Sequence, residues 1–275
     1  MAKFLEQDIE GSEVLLKLLL LSAGLVLRRS RAEIAGLYPA IAQYLSDHRN
    51  LDRQLRHSIG VSEISGLDRL IYLVSQYRPA DLILATAHHG HFVAFFGACA
   101  QAGIPLAACY RSASQPYLRF LQESGVAMVN LERLRSTSEL FDNFDRLRRE
   151  GRYIALMIDA PFASRRRYQL LGYSVQASSV PSLYARRSGA SLLPIVGTLI
   201  SARQLGYVVS PIVTDTSKDC TPALLGFLEK IILEQAEQYA WSTNSIILSD
   251  EKARENALSF TADALNWRNA SYHRT

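Results

Sequence analysis

Cysteine is scarce in this chain: three among 275 residues, Cys99, Cys109 and Cys220, odd in number and scattered. That excludes a small secreted fold framed by disulfides, and no pair has metal-site spacing. The thiols are read as reduced, in a cytosolic setting. Long apolar runs are missing as well. The N-terminal run Val14–Leu27 has fourteen residues, contains Lys17 and ends at Arg28-Arg29-Ser30-Arg31. A bilayer span needs roughly 20 residues. Two readings stay open for this run: a helix lying on a cytoplasmic leaflet with its arginines against anionic head groups, or a core or interface helix with a polar end. Met1–Glu10 carries both signs of charge, and no small-residue cleavage site follows a basic start, so no secretory signal is expected. Charge is close to balanced, with a net +4 and a pI near 9. Anionic surfaces or substrates suit such a chain, but no nucleic-acid partner is expected.

There is no internal repeat, no low-complexity tract and no Pro/Gly-rich linker, so a single domain is expected. Residues 1–80 read as its helical N-terminal layer, 81–254 as an α/β core and 255–275 as a polar tail. With 48% hydrophobic residues the chain can bury a core without staples.

The core opens on DLILATAHHGHFVAFFGACAQAG, Asp81–Gly103. An apolar run, Leu82–Ala87, is short enough for a buried strand. The chain turns through His88-His89-Gly90-His91 and continues as an apolar helix, Phe92–Gln101. Strand–helix alternation follows, the signature of a sheet built from crossover units. Further strands are expected at Ile104–Tyr110, Val126–Leu131, Tyr153–Ile158, Ser191–Leu199 and Tyr207–Val213. Helices are expected at Gly66–Tyr77, Ser114–Ser124, Thr137–Glu150, Ser178–Ser188 and Thr221–Tyr239, with a loop over Ala160–Gln176. Ser136-Thr137-Ser138-Glu139 fits a capping box. The fold class is therefore α/β: a central mixed sheet flanked by helices.

In open α/β sheets, ligands bind outside the carboxyl ends of the strands. His88, Arg111 and Asp159 all fall there. His88 is read as a general base, because imidazole exchanges protons near neutrality; the competing reading is a histidine that bonds its own turn. Asp159 would orient an imidazole or a substrate, or else simply cap its loop. Arg111 suits a phosphate or carbonyl oxygen. His91 is an auxiliary candidate and His89 a structural one. Arg165, Arg166 and Arg167 suit an anionic carrier or head group, although charge runs are commonly solvated loops. Phe92, Phe95 and Phe96 would line an acyl-chain site, with core packing the expected role for at least one. Three imidazoles in one tight turn do not converge on one ion, so no metal is expected.

From about Asp81 to Trp241 the chain resembles the lipid A biosynthesis late acyltransferases, in the lysophospholipid acyltransferase-like superfamily. The matching pieces are ILATAHHGHF, the pair Tyr110-Arg111, SQPYLRFLQESG, YIALMIDAPF, LLGYSVQASSVPSLYARRSGASLLPIV and LEKIILEQAEQYAWS. The resemblance implies an acyltransferase-like fold. It implies transfer of a fatty acyl group, usually from acyl carrier protein, to a glycolipid hydroxyl at the cytoplasmic face of the inner membrane. The reading for this chain is wider, with acyl carrier protein or coenzyme A as donor, a hydroxyl or amine as acceptor, the thioester as co-substrate and no cofactor. The family's histidine is followed five positions later by an acid; here that position after His88 is Val93. Three accounts follow: Asp159 supplies the carboxylate, His91 joins a different relay, or the chain is a catalytically inactive lipid-binding or partner module. Hydrolysis with water as acceptor is a further option. A carboxylate within hydrogen-bond reach of His88 favours the enzyme; an apolar shell around the ring favours the binder.

Overall fold

The computed structural model describes residues 63–110, 118–160, 166–201 and 203–239, with isolated helical residues between 39 and 47. The N-terminal run Val14–Leu27, Arg111, Arg165, Trp241 and the tail lie outside the described residues. In chain order the strands are β1 (Glu63–Ile64), β2 (Leu82–Thr86), β3 (Leu106–Tyr110), β4 (Ala127–Asn130), β5 (Tyr153–Met157), β6 (Tyr168–Leu170), β7 (Tyr173–Val175), β8 (Ser191–Ser201) and β9 (Gln204–Val209). The α-helices are α1 (Leu67–Ser75), α2 (Phe92–Gln101), α3 (Leu118–Glu123), α4 (Thr137–Arg149), α5 (Val180–Ser188) and α6 (Thr221–Glu234).

Seven strands form one sheet in the order β1-β9-β8-β2-β5-β3-β4, and β6 and β7 pair as a separate hairpin. β8, β2, β5, β3 and β4 run parallel, whereas β9 is antiparallel to β8, so the sheet is mixed as expected. β2 is buried at every position, which matches its unbroken apolar sequence: helices cover both faces of a central strand. Ile83 and Ala85 pack with α4, α5 and α6 on one face. Leu82 and Leu84 pack with α1, α2 and α3 on the other.

Helix ends follow their local chemistry. Ser136 Oγ accepts the N–H of Glu139 at 3.1 Å, supplying one of the orphan donors of α4. Glu139 reaches back to the N–H of Arg135 at 2.8 Å, one residue earlier than a strict capping box. Arg146, Arg148 and Arg149 occupy the last turn, where the helix dipole favours positive charge. α5 carries Pro181 in its first turn and ends on Gly189 in the left-handed conformation (φ 68°).

Three expectations are corrected. The loop over Ala160–Gln176 contains the β6–β7 hairpin, which packs on α6. Its three-residue strands are too short to register as a periodic pattern. β9 runs over Gln204–Val209 rather than Tyr207–Val213, and Val213 instead bridges Leu192. α6 stops at Glu234, five residues early, and Gln235 leads into a 3-10 turn over Ala236–Gln238.

Candidate active site

The register of β2 and β5 sets the site. Ile83 pairs with Ile154 and Thr86 with Met157, so His88 and Asp159 come opposite one another just past the last ladder pair. Because side chains alternate along a strand, His88 shares the face of Leu82, Leu84 and Thr86, and Asp159 that of Tyr153, Ala155 and Met157. Leu82, Leu84, Tyr153 and Ala155 all belong to the cluster under α2. Both side chains thus emerge on the α2 side at the carboxyl edge.

There Asp159 holds His88 twice. Oδ2 accepts the backbone N–H of His88 at 2.9 Å, and Oδ1 lies 2.9 Å from Nδ1. The Asp159 side chain is 2% exposed, whereas the imidazole retains 36%. A buried carboxylate needs such partners, since an unpaired charge removed from water is costly. With Nδ1–H donated to Asp159, the imidazole is in the tautomer that leaves Nε2 as the acceptor. Nε2 bonds to none of the described residues. Burial pushes the His88 pKa down, but the charge of Asp159 and its hydrogen bond push it up further, so it sits above the ordinary 6.5. Phe92 meets the ring edge-on, with centroids 5.0 Å apart.

The other imidazoles of the turn have different work. His89 is fully buried, and its Nδ1 donates to the Gly197 carbonyl at 3.1 Å. Burial lowers its pKa, and the contact with that carbonyl opposes this only in part. His91 Nδ1 accepts the N–H of Ala94 at 3.2 Å, so its ring caps α2. Among the described residues no group of three or more His, Cys, Asp and Glu side chains is placed to hold a metal ion. Gly90 sits at φ 53°, and a Cβ there would come within 2.5 Å of the Gly197 oxygen. The turn therefore needs glycine both for its conformation and for its approach to β8.

Val93, where the acid was missed, is 4% exposed and packs in the core cluster under α2. Phe95 and Phe96 are buried there too, at 3% and 4%; Phe92 is half-buried against His88. Arg166 and Arg167 are exposed beside the β6–β7 hairpin. Arg166 pairs with Asp219 at 3.3 Å, and Arg167 donates to the Ser174 carbonyl at 2.6 Å.

A histidine oriented by a buried carboxylate at the carboxyl edge of a mixed α/β sheet is an arrangement that can take up and release a proton at Nε2. The chain belongs to the bacterial lipid A biosynthesis acyltransferase family, whose model matches residues 41–245. Among solved structures it is similar to the 1-acyl-sn-glycerophosphate (LPA) acyltransferase PlsC from Thermotoga maritima, at 12% identity and a TM-score of 0.40 over 83% of this chain and 99% of that one. No curated protein matches it. Among the described residues no helix is long and apolar enough to cross a membrane.

Sequence reasoning placed His88 and Asp159 at strand ends and named their pairing as one of three accounts. What it missed is Gln238, whose backbone carbonyl accepts the N–H of Gly90 in the histidine turn at 2.9 Å. The family-like segment ending in Trp241 was its only signal.

Proposed function

We propose that this protein transfers an acyl group from a thioester donor, acyl carrier protein or coenzyme A, to a hydroxyl or amine acceptor, with His88 as base and Asp159 as its orienting acid. The observation that carries the reading is the 2.9 Å contact between His88 Nδ1 and Asp159 Oδ1, made without any acid at Val93. An imidazole whose Nδ1–H is held by a carboxylate has Nε2 available to the substrate.

The steps follow from that tautomer. Nε2 takes the proton of the acceptor hydroxyl or amine as its oxygen or nitrogen attacks the thioester carbonyl. The imidazolium that forms is stabilised by Asp159, which stays ionised. The tetrahedral adduct then collapses, the carbon–sulfur bond breaks, and the departing thiolate takes the proton from Nε2–H. The new ester or amide leaves, and the neutral histidine is restored. Phe92 offers the apolar surface beside the reacting centre. Arg111 and Arg165 belong to this reading as ligands for donor or acceptor oxygens, together with Arg166 and Arg167. The setting proposed is the cytoplasmic face of a membrane, where an acceptor lipid would meet the site.

The test is an acyl-transfer assay with labelled acyl carrier protein and acyl-CoA donors and a pool of cellular acceptors, run beside His88→Ala and Asp159→Asn. General base catalysis is worth about 10²–10⁴-fold, and a loss of that size is expected in both variants. A wild type that binds donor but turns nothing over would favour a binding module instead. Turnover without any acceptor would favour hydrolysis.

A further inference from the structure

The histidine turn is gripped from a second side. β8 outruns its neighbour: it pairs with β2 only from Ser191 to Pro194, opposite Leu82 to Ala85. Beyond Pro194 that edge of β8 would carry orphan backbone groups, which are costly when buried. The histidine turn and the chain after α6 fill them. The Gly197 carbonyl takes His89 Nδ1 at 3.1 Å. The N–H of Leu199 donates to the side-chain oxygen Oε1 of Gln238 at 2.7 Å. The backbone carbonyl of the same Gln238 accepts the N–H of Gly90 at 2.9 Å. The next residue, Tyr239, forms an antiparallel bridge with His89. One residue thus ties the turn, through its main chain, to the strand, through its side chain, two positions from His88.

We propose that Gln238 is a positioning residue, which fixes the histidine turn on β8 so that His88 is held against Asp159. The proposal rests on the acyl-transfer reading for its consequence but not for its geometry. Removing the side-chain oxygen leaves the Gly90 bond intact but frees its carrier from Leu199, so the turn keeps its own His89–Gly197 bond to β8 and loses the second tie that fixes its position. A displacement of an ångström in a catalytic group costs far more in the chemical step than in binding.

The variants are Gln238→Met, which keeps the length but loses the acceptor, and Gln238→Glu, which keeps an acceptor for the Leu199 N–H. Glu237→Gln, on the neighbouring half-buried side chain, is the control. The readouts are kcat and KM for acyl transfer and the titration of the His88 ring followed by NMR. For Gln238→Met we expect kcat to fall about tenfold or more with KM little changed. Its His88 titration should move down towards the ordinary value as the Asp159 contact loosens. Gln238→Glu should recover most of both. Gln238→Asn is too short by one methylene to reach Leu199, and gives the same comparison if the methionine variant does not fold. Wild-type kcat in Gln238→Met, an unmoved His88 titration, or an equal loss in Gln238→Glu would each overturn the proposal. A wild type without turnover would sink the transferase reading alone, and the titration would still decide the role of Gln238.

Discussion

Two polar clusters of this molecule use similar chemistry to opposite ends. Between α4 and α5 the Tyr184 hydroxyl donates to Asp145 Oδ1 at 2.7 Å and accepts from Arg148 at 3.3 Å. Arg187 reaches Asp142 at 2.8 Å across the same helix pair. The Tyr184 residue is fully buried, and burial together with Asp145 pushes its pKa up, although Arg148 pulls the other way. Its hydrogen bonds are spent within the protein. At the carboxyl edge the His88–Asp159 pair is just as closely bonded, but the ring is partly exposed and Nε2 bonds to none of the described residues. A buried polar group whose valences are all used locks elements together; one that leaves a proton site facing outward can do chemistry.

The sharpest way to break that comparison is to truncate each cluster and see which property falls. Tyr184→Ala removes an aromatic ring from the core between α4 and α5, and should cost about 3–5 kcal/mol of stability in chemical denaturation. Turnover per folded molecule should remain near wild type. A Tyr184→Ala protein that stays stable but loses turnover would erase the distinction.

The pH profile sharpens it from the other side. His88 must be neutral to accept a proton, and its pKa is raised above 6.5 by Asp159 despite burial. The rate should therefore climb with pH through a midpoint above 6.5 in the wild type. In Asp159→Asn the carboxylate charge is gone and burial remains, so the midpoint of any residual activity should fall. The same shift links to folding. A raised histidine pKa stabilises the fold below the unfolded value of 6.5, and that contribution is lost as pH rises through the folded pKa. His89 runs the opposite way. Its lowered pKa means that folding resists its protonation, so stability should drop as pH falls below 6.5. A Tyr184→Phe variant should leave the whole activity profile unmoved.

The smallest effects are local ones. Tyr184→Phe keeps the ring but leaves Asp145 and Arg148 without their hydroxyl, and should cost about 1 kcal/mol by denaturant midpoint. Ser136→Ala removes the α4 cap and should also cost about 1 kcal/mol. Neither should alter the His88 titration; a shift in either would mean that α4 and the site are coupled.

Most of the architecture was legible in the residues themselves. The uninterrupted apolar run of β2, the 13-residue amphipathic α4 with Ser136 before it, and the glycines that end helices are signals contained within a few residues. His88 at a strand end was of the same kind. The β6–β7 hairpin was not legible, because three-residue strands carry too few side chains to show alternation. The early stop of α6 was not legible either, since the good helix formers Gln235, Ala236, Glu237 and Gln238 follow Glu234 with no glycine or proline to mark the turn that Gln235 makes at φ −137°.

The sequence by itself determined most of the longer elements, the missing acid at Val93 and the presence of an imidazole and a carboxylate on two strand ends. It did not determine that they meet. His88 and Asp159 are 71 residues apart. Their contact exists because β5 lies beside β2 in a parallel register that brings them opposite each other. Gln238 reaches Gly90 and Leu199 only because β8 overhangs β2 and leaves backbone groups to be satisfied. Propensity, capping and hydrophobic period act over a turn or a strand. Strand order and register are set by how whole faces bury, so the pairing at the centre of this site was decided by the tertiary structure alone.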